Sequence, residues 1–188
     1  MKSITVENLL GNHKSYTQVT GDEEALKRVI QTGEINRPGF ELAGFFKHSD
    51  FRRIIVFGDK EMAFIAEMSE ERQKEIFPCL INEEVPCIVI CKGHECPKVL
   101  KDVANERNFP IFQTELITGA VSSELMNTLE EKLAKDTLMH GVFLNIHGKG
   151  VIIKGDSGIG KSEIALELVK RGHLLVADDA VAVSYTHL

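Results

Sequence analysis

Near its carboxyl end the chain reads GDSGIGKS, Gly155 to Ser162, set between the apolar run VIIKG and the helical pattern KSEIALELVKRG. The stretch satisfies G-x-x-x-x-G-K-[ST] at every fixed position. In a chain of this length, ordinary amino-acid frequencies give a chance match about one time in a hundred or less. The context narrows this further, because a strand enters the loop, a helix leaves it and Gly172 stands where that helix should stop. Glycines at 155, 158 and 160 permit positive backbone torsions, so successive N–H groups can turn inward around an anion. The helix that follows points its partial positive end at the same place. The expected nucleotide-binding set is Gly155, Asp156, Ser157, Gly158, Ile159, Gly160, Lys161 and Ser162, with Lys161 on the β and γ phosphates and the Ser162 hydroxyl suited to Mg²⁺ beside ATP.

The apolar run HLLVADD comes next and ends in Asp178 and Asp179. A strand that delivers an acid beside a phosphate loop commonly serves the metal, and side chains alternate along a strand. One acid can therefore manage the ion while the other accepts a proton from an attacking hydroxyl. Upstream, His140 precedes Gly141 at the start of LMHGVFLNIHGKGVIIKG, which reads as a hairpin around Gly148-Lys149-Gly150. Taken alone, a histidine beside apolar residues reads as structural.

The 188 residues are 43% hydrophobic and 27% charged, enough for a sizeable core in one or two domains. A net charge of -6 argues against a surface that binds nucleic acid through its phosphates. No apolar run approaches the roughly 18 residues of a membrane span, and Glu7, Asn8 and His13 interrupt any signal peptide, so the expected location is cytoplasmic. Cys79, Cys87, Cys91 and Cys96 lack the tight pairing of a zinc site, and two of them flank the strand-like CIVIC; reduced thiols are expected.

The first two-thirds of the chain alternates strands with helices. SITV begins as a strand, DEEALKRVIQTG reads as a short helix, and Pro38-Gly39 marks a turn. RRIIVFG, VPCIVICKG and FPIFQT read as strands. KEMAFIAEMSEERQKEIFPCL is helical and closed by Pro78, and KVLKDVANERN is another helix. SSELMNTLEEKLAKD is an amphipathic helix capped by Ser122, with Leu125, Leu129 and Leu133 on one stripe. The texture changes after it, so the boundary is expected near residues 128 to 136. The organisation expected is an amino-terminal alternating α/β regulatory domain over residues 1–130 and the beginning of a P-loop catalytic domain over residues 131–188.

The His-Gly dipeptide, the phosphate loop, KRGH and ADD occur together, in an order and spacing that strongly resemble the HPr kinase/phosphorylase family; INRPGFELAGFF and RIIVFG look like that family's amino-terminal domain. The resemblance implies a bifunctional ATP-dependent serine kinase and phosphorylase acting on the phosphocarrier protein HPr in bacterial carbon catabolite regulation. It implies a catalytic domain with a phosphoenolpyruvate carboxykinase-like fold, a homohexamer, and control by sugar phosphates and inorganic phosphate. By the same resemblance His140 is catalytic, Lys161 holds phosphate, Ser162 is a magnesium ligand, Asp179 takes the serine proton and returns it in the reverse reaction, and Asp178 supports it or helps hold the ion. The family continues beyond residue 188 with a further magnesium ligand, an arginine and an HPr-contacting segment, and SYTHL departs from its pattern, so a truncated chain of doubtful activity is expected. Two alternatives stay open: a small-molecule phosphotransferase or carboxykinase-like enzyme, and a nucleotide-sensing binding protein without chemistry.

Overall fold

The fold is known from a computed structural model, which describes residues 2–134, 136–178 and 180–184. The chain divides into two compact units, Met1–Leu133 and Ala134–Leu188.

In the first unit β1 (Ile4–Thr5), β2 (Thr17–Thr20), β3 (Val29–Ile30) and β4 (Ile35–Asn36) precede α1 (Gly39–Leu42), β5 (Ile54–Phe57), α2 (Asp59–Glu67) and α3 (Glu70–Leu80). There follow β6 (Ile88–Ile90), α4 (Lys98–Glu106), β7 (Ile111–Gln113) and α5 (Thr118–Leu133). The main sheet has the order β2-β7-β6-β5-β4; β4 to β7 run parallel and β2 closes one edge antiparallel to β7. Parallel strands are covered on both faces and therefore read as unbroken apolar runs. IIVF in β5 and IVI in β6 are buried at every position. Their side chains alternate between two cores. Ile55, Phe57, Ile88 and Ile90 pack against α2, α3 and α4, while Ile54, Val56 and Val89 pack against Val121, Leu125 and Leu129 of α5.

Three expectations are revised. DEEALKRVIQTG is not a helix beyond the 3₁₀ turn Ala25–Lys27. Asp22 accepts the N–H groups of Glu24 and Ala25, Arg28 donates to the carbonyls of Asn82, Glu83 and Val85, and Val29–Ile30 pair with β1; these tertiary bonds outweigh a weak local preference. Pro78 lies inside α3 rather than closing it. So near the end it removes a single helical bond, and Arg107 satisfies terminal carbonyls at Pro78 and Ile81. Ser122 is no cap: α5 starts at Thr118, and the Ser122 hydroxyl donates back to the Thr118 carbonyl at 2.8 Å.

The second unit holds β8 (Asp136–His140), β9 (Val142–Ile146), β10 (Lys149–Ile153), α6 (Lys161–Lys170), β11 (Leu174–Ala177) and β12 (Ala180–Ser184). β9 is central, with β10 and β11 antiparallel to it on either side, and β8 pairs antiparallel with β12. The β9–β10 turn is His147-Gly148, one residue earlier than the glycine pattern predicts; both residues have positive φ, as a two-residue hairpin requires, and Gly148 N–H donates to the Asn145 side chain. The core is small: Val142, Leu144 and Ala165 are buried, with Ile146, Ile153 and Leu168 against them.

Candidate active site

Strand register builds the site. Since β10 and β11 both run antiparallel to β9, their carboxyl ends meet its amino end at one edge of the sheet. Ile153 faces Val142 and Ala177 faces Phe143. The loop after β10, the acid after β11 and the His-Gly dipeptide before β9 therefore arrive together. They enclose a cavity of about 480 Å³ lined by His140, Gly141, Val142, Gly155, Ser157, Gly158, Gly160, Lys161, Ser162, Glu163 and Asp178. A bulge between Leu175 and Ala177 re-aims the end of β11 just before Asp178, a common device beside sites.

Within the loop, Gly158 (φ 82°) and Gly160 (φ 97°) are left-handed, and Gly160 stands at the amino terminus of α6. Gly155 does not need that freedom; there the constraint is space, because an added Cβ would lie 3.0 Å from the Ile159 side chain. The Lys161 ammonium donates to the carbonyls of Gly155 (2.8 Å) and Asp156 (2.7 Å), so it lies across the mouth of its own loop. Ser162, on the first turn of α6, faces the same cavity. Asp156 contributes its carbonyl to Lys161 and does not line the cavity, nor does Ile159, whose side chain is exposed.

The glycine after His140 has a steric reason. A Cβ at Gly141 would come within 2.5 Å of the Ile153 carbonyl oxygen, so only glycine lets β9 begin this close to the end of β10. His140 pairs in register with Ala180. Asp179, the acid expected to exchange the proton, lies outside the described residues, as does the tail from Tyr185 to Leu188. Glu163 and Val142 line the cavity without having been anticipated. Glu163 follows the loop serine directly, and its position on the first helical turn was the available signal; Val142 is reached only through the pairing of β9.

The comparisons with known proteins agree on a family. Residues 4–129 match the model described as HPr Serine kinase N terminus, and residues 131–187 match that of the HPr Serine kinase C-terminal domain. The chain belongs to the HPr serine kinase family. It is 46% identical over 169 residues to the HPr kinase/phosphorylase of Exiguobacterium sp., covering 90% of this chain and 54% of the relative. The enzyme of that name from Enterococcus faecalis is 43% identical over 178 residues, covering 95% and 56% of the two chains. One from Bacillus cereus is 41% identical over 183 residues, covering 97% and 59%. The chain thus spans little more than half the length of these curated relatives. Among the described residues no helix is long and apolar enough to cross a membrane.

Chemically, the cavity joins the Lys161 cation, the hydroxyl residues Ser157 and Ser162, three glycines of the loop and two carboxylates, Glu163 and Asp178. Acids beside a polyphosphate site are tolerable when a divalent ion lies between them and the phosphates. Among the described residues no cluster of three or more His, Cys, Asp or Glu side chains could hold a metal unaided. A sparse set of oxygen donors fits magnesium, which keeps waters and shares phosphate oxygens.

Proposed function

We propose that the protein of which this chain is part is an ATP-dependent serine kinase that phosphorylates HPr and also removes that phosphate. The observation that carries the reading is the convergence of Lys161, Ser162, Asp178 and His140-Gly141 on one cavity. The strand–loop–helix run from β10 to α6 is consistent with the opening of a P-loop kinase domain of the phosphoenolpyruvate carboxykinase-like type.

In this reading the amides of the Gly158–Lys161 turn and the Lys161 ammonium hold the phosphates of ATP, which draws Lys161 off the Gly155 and Asp156 carbonyls. Ser162 would hold magnesium, with Asp178 and Glu163 within the same cavity; the ion supplies charge neutralisation on the transferring phosphoryl group. A seryl hydroxyl is a poor nucleophile until its proton is taken. Asp179 takes it, with Asp178 beside it in sequence and His140 lining the same cavity as Asp178. In the reverse direction an oxygen of inorganic phosphate attacks phosphoserine; the P–O bond to serine breaks, the proton returns from Asp179 to the leaving oxygen, and pyrophosphate forms. The same groups serve both directions. The reading also carries a homohexamer and a cytoplasmic location.

The test uses a polypeptide carrying this segment at the length of its relatives, incubated with labelled ATP and HPr. Label on a serine of HPr is expected, with a loss of about a thousandfold in Lys161→Ala. An undiminished rate in that variant overturns the reading. Label on a metabolite instead would favour a small-molecule phosphotransferase, and binding without turnover a nucleotide sensor.

A further inference from the structure

The first unit has cavities of its own, placed by its topology. β6 and β7 are adjacent and parallel, yet the chain leaving them goes to opposite faces: α4 packs with Ile88 and Ile90, and α5 with Val89 and Phe112. Where neighbouring strands part in this way a crevice opens at their carboxyl ends, and it is there that open α/β sheets bind ligands.

Two cavities occupy this edge. One, of about 340 Å³, is lined by Arg37, Asp59, Lys60, Lys92, Ile117 and the start of α5 at Thr118 and Gly119. The other, of about 500 Å³, is lined by Lys14, Thr17, Gln113 and Glu115, and by Gly93 and Leu116, the chain neighbours of Lys92 and Ile117 in the first. The three cations of the first come from three separate strand ends, those of β4, β5 and β6, so the topology, and no local charge run, gathers them. Arg37 is held in place by Glu61, a carboxylate only 7% exposed that also accepts the Gly58 N–H at 2.9 Å. Lys92 pairs with Asp59, which also meets His94 at 2.9 Å. Lys60 has no ion pair among the described residues.

The frame around these groups is stiff. Lys92 and Gly93 are both left-handed, at φ 60° and 65°. Their N–H groups donate to the carbonyls of Leu116 (3.0 Å) and Thr114 (2.9 Å), stitching the loop after β6 to the loop after β7. A non-glycine residue held there is strained, and such strain gathers at binding sites. The amino termini of α2 and α5 abut, since a Cβ at Gly58 would fall 2.4 Å from Thr118 Oγ1.

We propose that this crevice binds a small polar organic anion. Its phosphoryl or carboxylate head sits among Arg37, Lys60, Lys92 and the first amides of α5, and its polar body extends along the Lys14 and Gln113 side. Convergent cations and orphan helix amides select the head. Lys14, Thr17, Gln113 and Glu115 offer polar partners to the body of the ligand, and Leu116 offers it an apolar one.

The experiment is a nuclear magnetic resonance titration of the whole chain with glycerol 3-phosphate and, separately, succinate, each against sodium chloride of equal ionic strength. Saturable shifts of the Lys92, Gly93 and Gly119 amides are expected with at least one of the two probes. The apparent affinity should weaken at least fivefold in Lys60→Ala and stay unchanged in Lys74→Ala, which removes an exposed cation from α3. The tighter probe identifies the head group. Failure of both probes to saturate those amides, an equal effect of the two variants, or a response confined to Gly155–Ser162 overturns the proposal. Because the readout lies at residues outside the phosphate loop, it stands or falls apart from the kinase reading.

Discussion

The two units solve the problem of holding a site in opposite ways. The first buries a five-stranded sheet on both faces, with Phe57, Phe77, Phe109 and Phe112 essentially inaccessible. The second gathers its site on a three-stranded sheet over three buried residues. Among the described residues the first unit exposes six large apolar side chains and the much shorter second unit nine, among them Ile164, Leu166, Leu174 and Val176. Burial stabilises by about 25 cal/mol per Å² of apolar surface, so most of the stabilisation lies in the first unit. In the second, backbone pairing does more of the positioning than side-chain packing does.

The sharpest way to break that contrast is to cut into each core. Phe57→Ala should destabilise the first unit by about 3–5 kcal/mol, and Leu144→Ala the second by about 2–4 kcal/mol, as large cavities do. Followed by denaturant titration with a probe in each unit, the two substitutions should move different transitions; one shared transition would dissolve the distinction. Hydrogen exchange comes next: amides of β5, β6 and β7 should exchange on the order of a hundredfold more slowly than those of β9 to β11. Strong protection throughout residues 150–183 in a monomer would contradict this.

A third substitution tests whether register or packing holds the site. Gly141→Ala should cost about 1–3 kcal/mol through its clash with the Ile153 carbonyl, a price set by how far β9 can retreat from β10. It should weaken binding of a fluorescent ATP analogue while leaving the first unit's transition in place, and unchanged binding would show the edge to be more tolerant than its spacing implies. The smallest effect is electrostatic. Arg52 beside Asp50 holds that carboxyl at about 2, below its ordinary 3.8. A depressed folded-state value stabilises above the unfolded one, so the contribution is present above pH 3.8 and is lost as pH falls toward 2. At this solvent-accessible pair it should amount to less than about 1 kcal/mol, seen as a slightly shallower acid transition in Asp50→Asn.

How much of this could be read beforehand followed the range of the forces involved. RRIIVFG, CIVIC and FPIFQT announce buried strands because burial on both faces removes any need for polar alternation. GDSGIGKS announces an anion-binding turn because the backbone requirement is written into consecutive residues. DEEALKRVIQTG misleads, since its fate is decided by Arg28 reaching carbonyls more than fifty residues away. The placing of Val142 in the cavity was equally hidden, for it depends on which residue of β9 faces which residue of β10, whereas Glu163 could have been read from its place on the first turn of α6. The cavities at the ends of β6 and β7 follow from two helices leaving on opposite sides, which no local pattern records.

The central position of β9 makes it a ruler for its neighbours. A single residue inserted between Gly141 and Leu144 would displace the His-Gly step by about 3.3 Å against both flanking strands and invert every side chain on one side of the insertion. The same addition at the His147-Gly148 tip would only lengthen a solvent-facing bend. Tolerance to length change should therefore differ sharply between the two ends of one short strand, and deep insertion scanning of this segment would map the difference residue by residue.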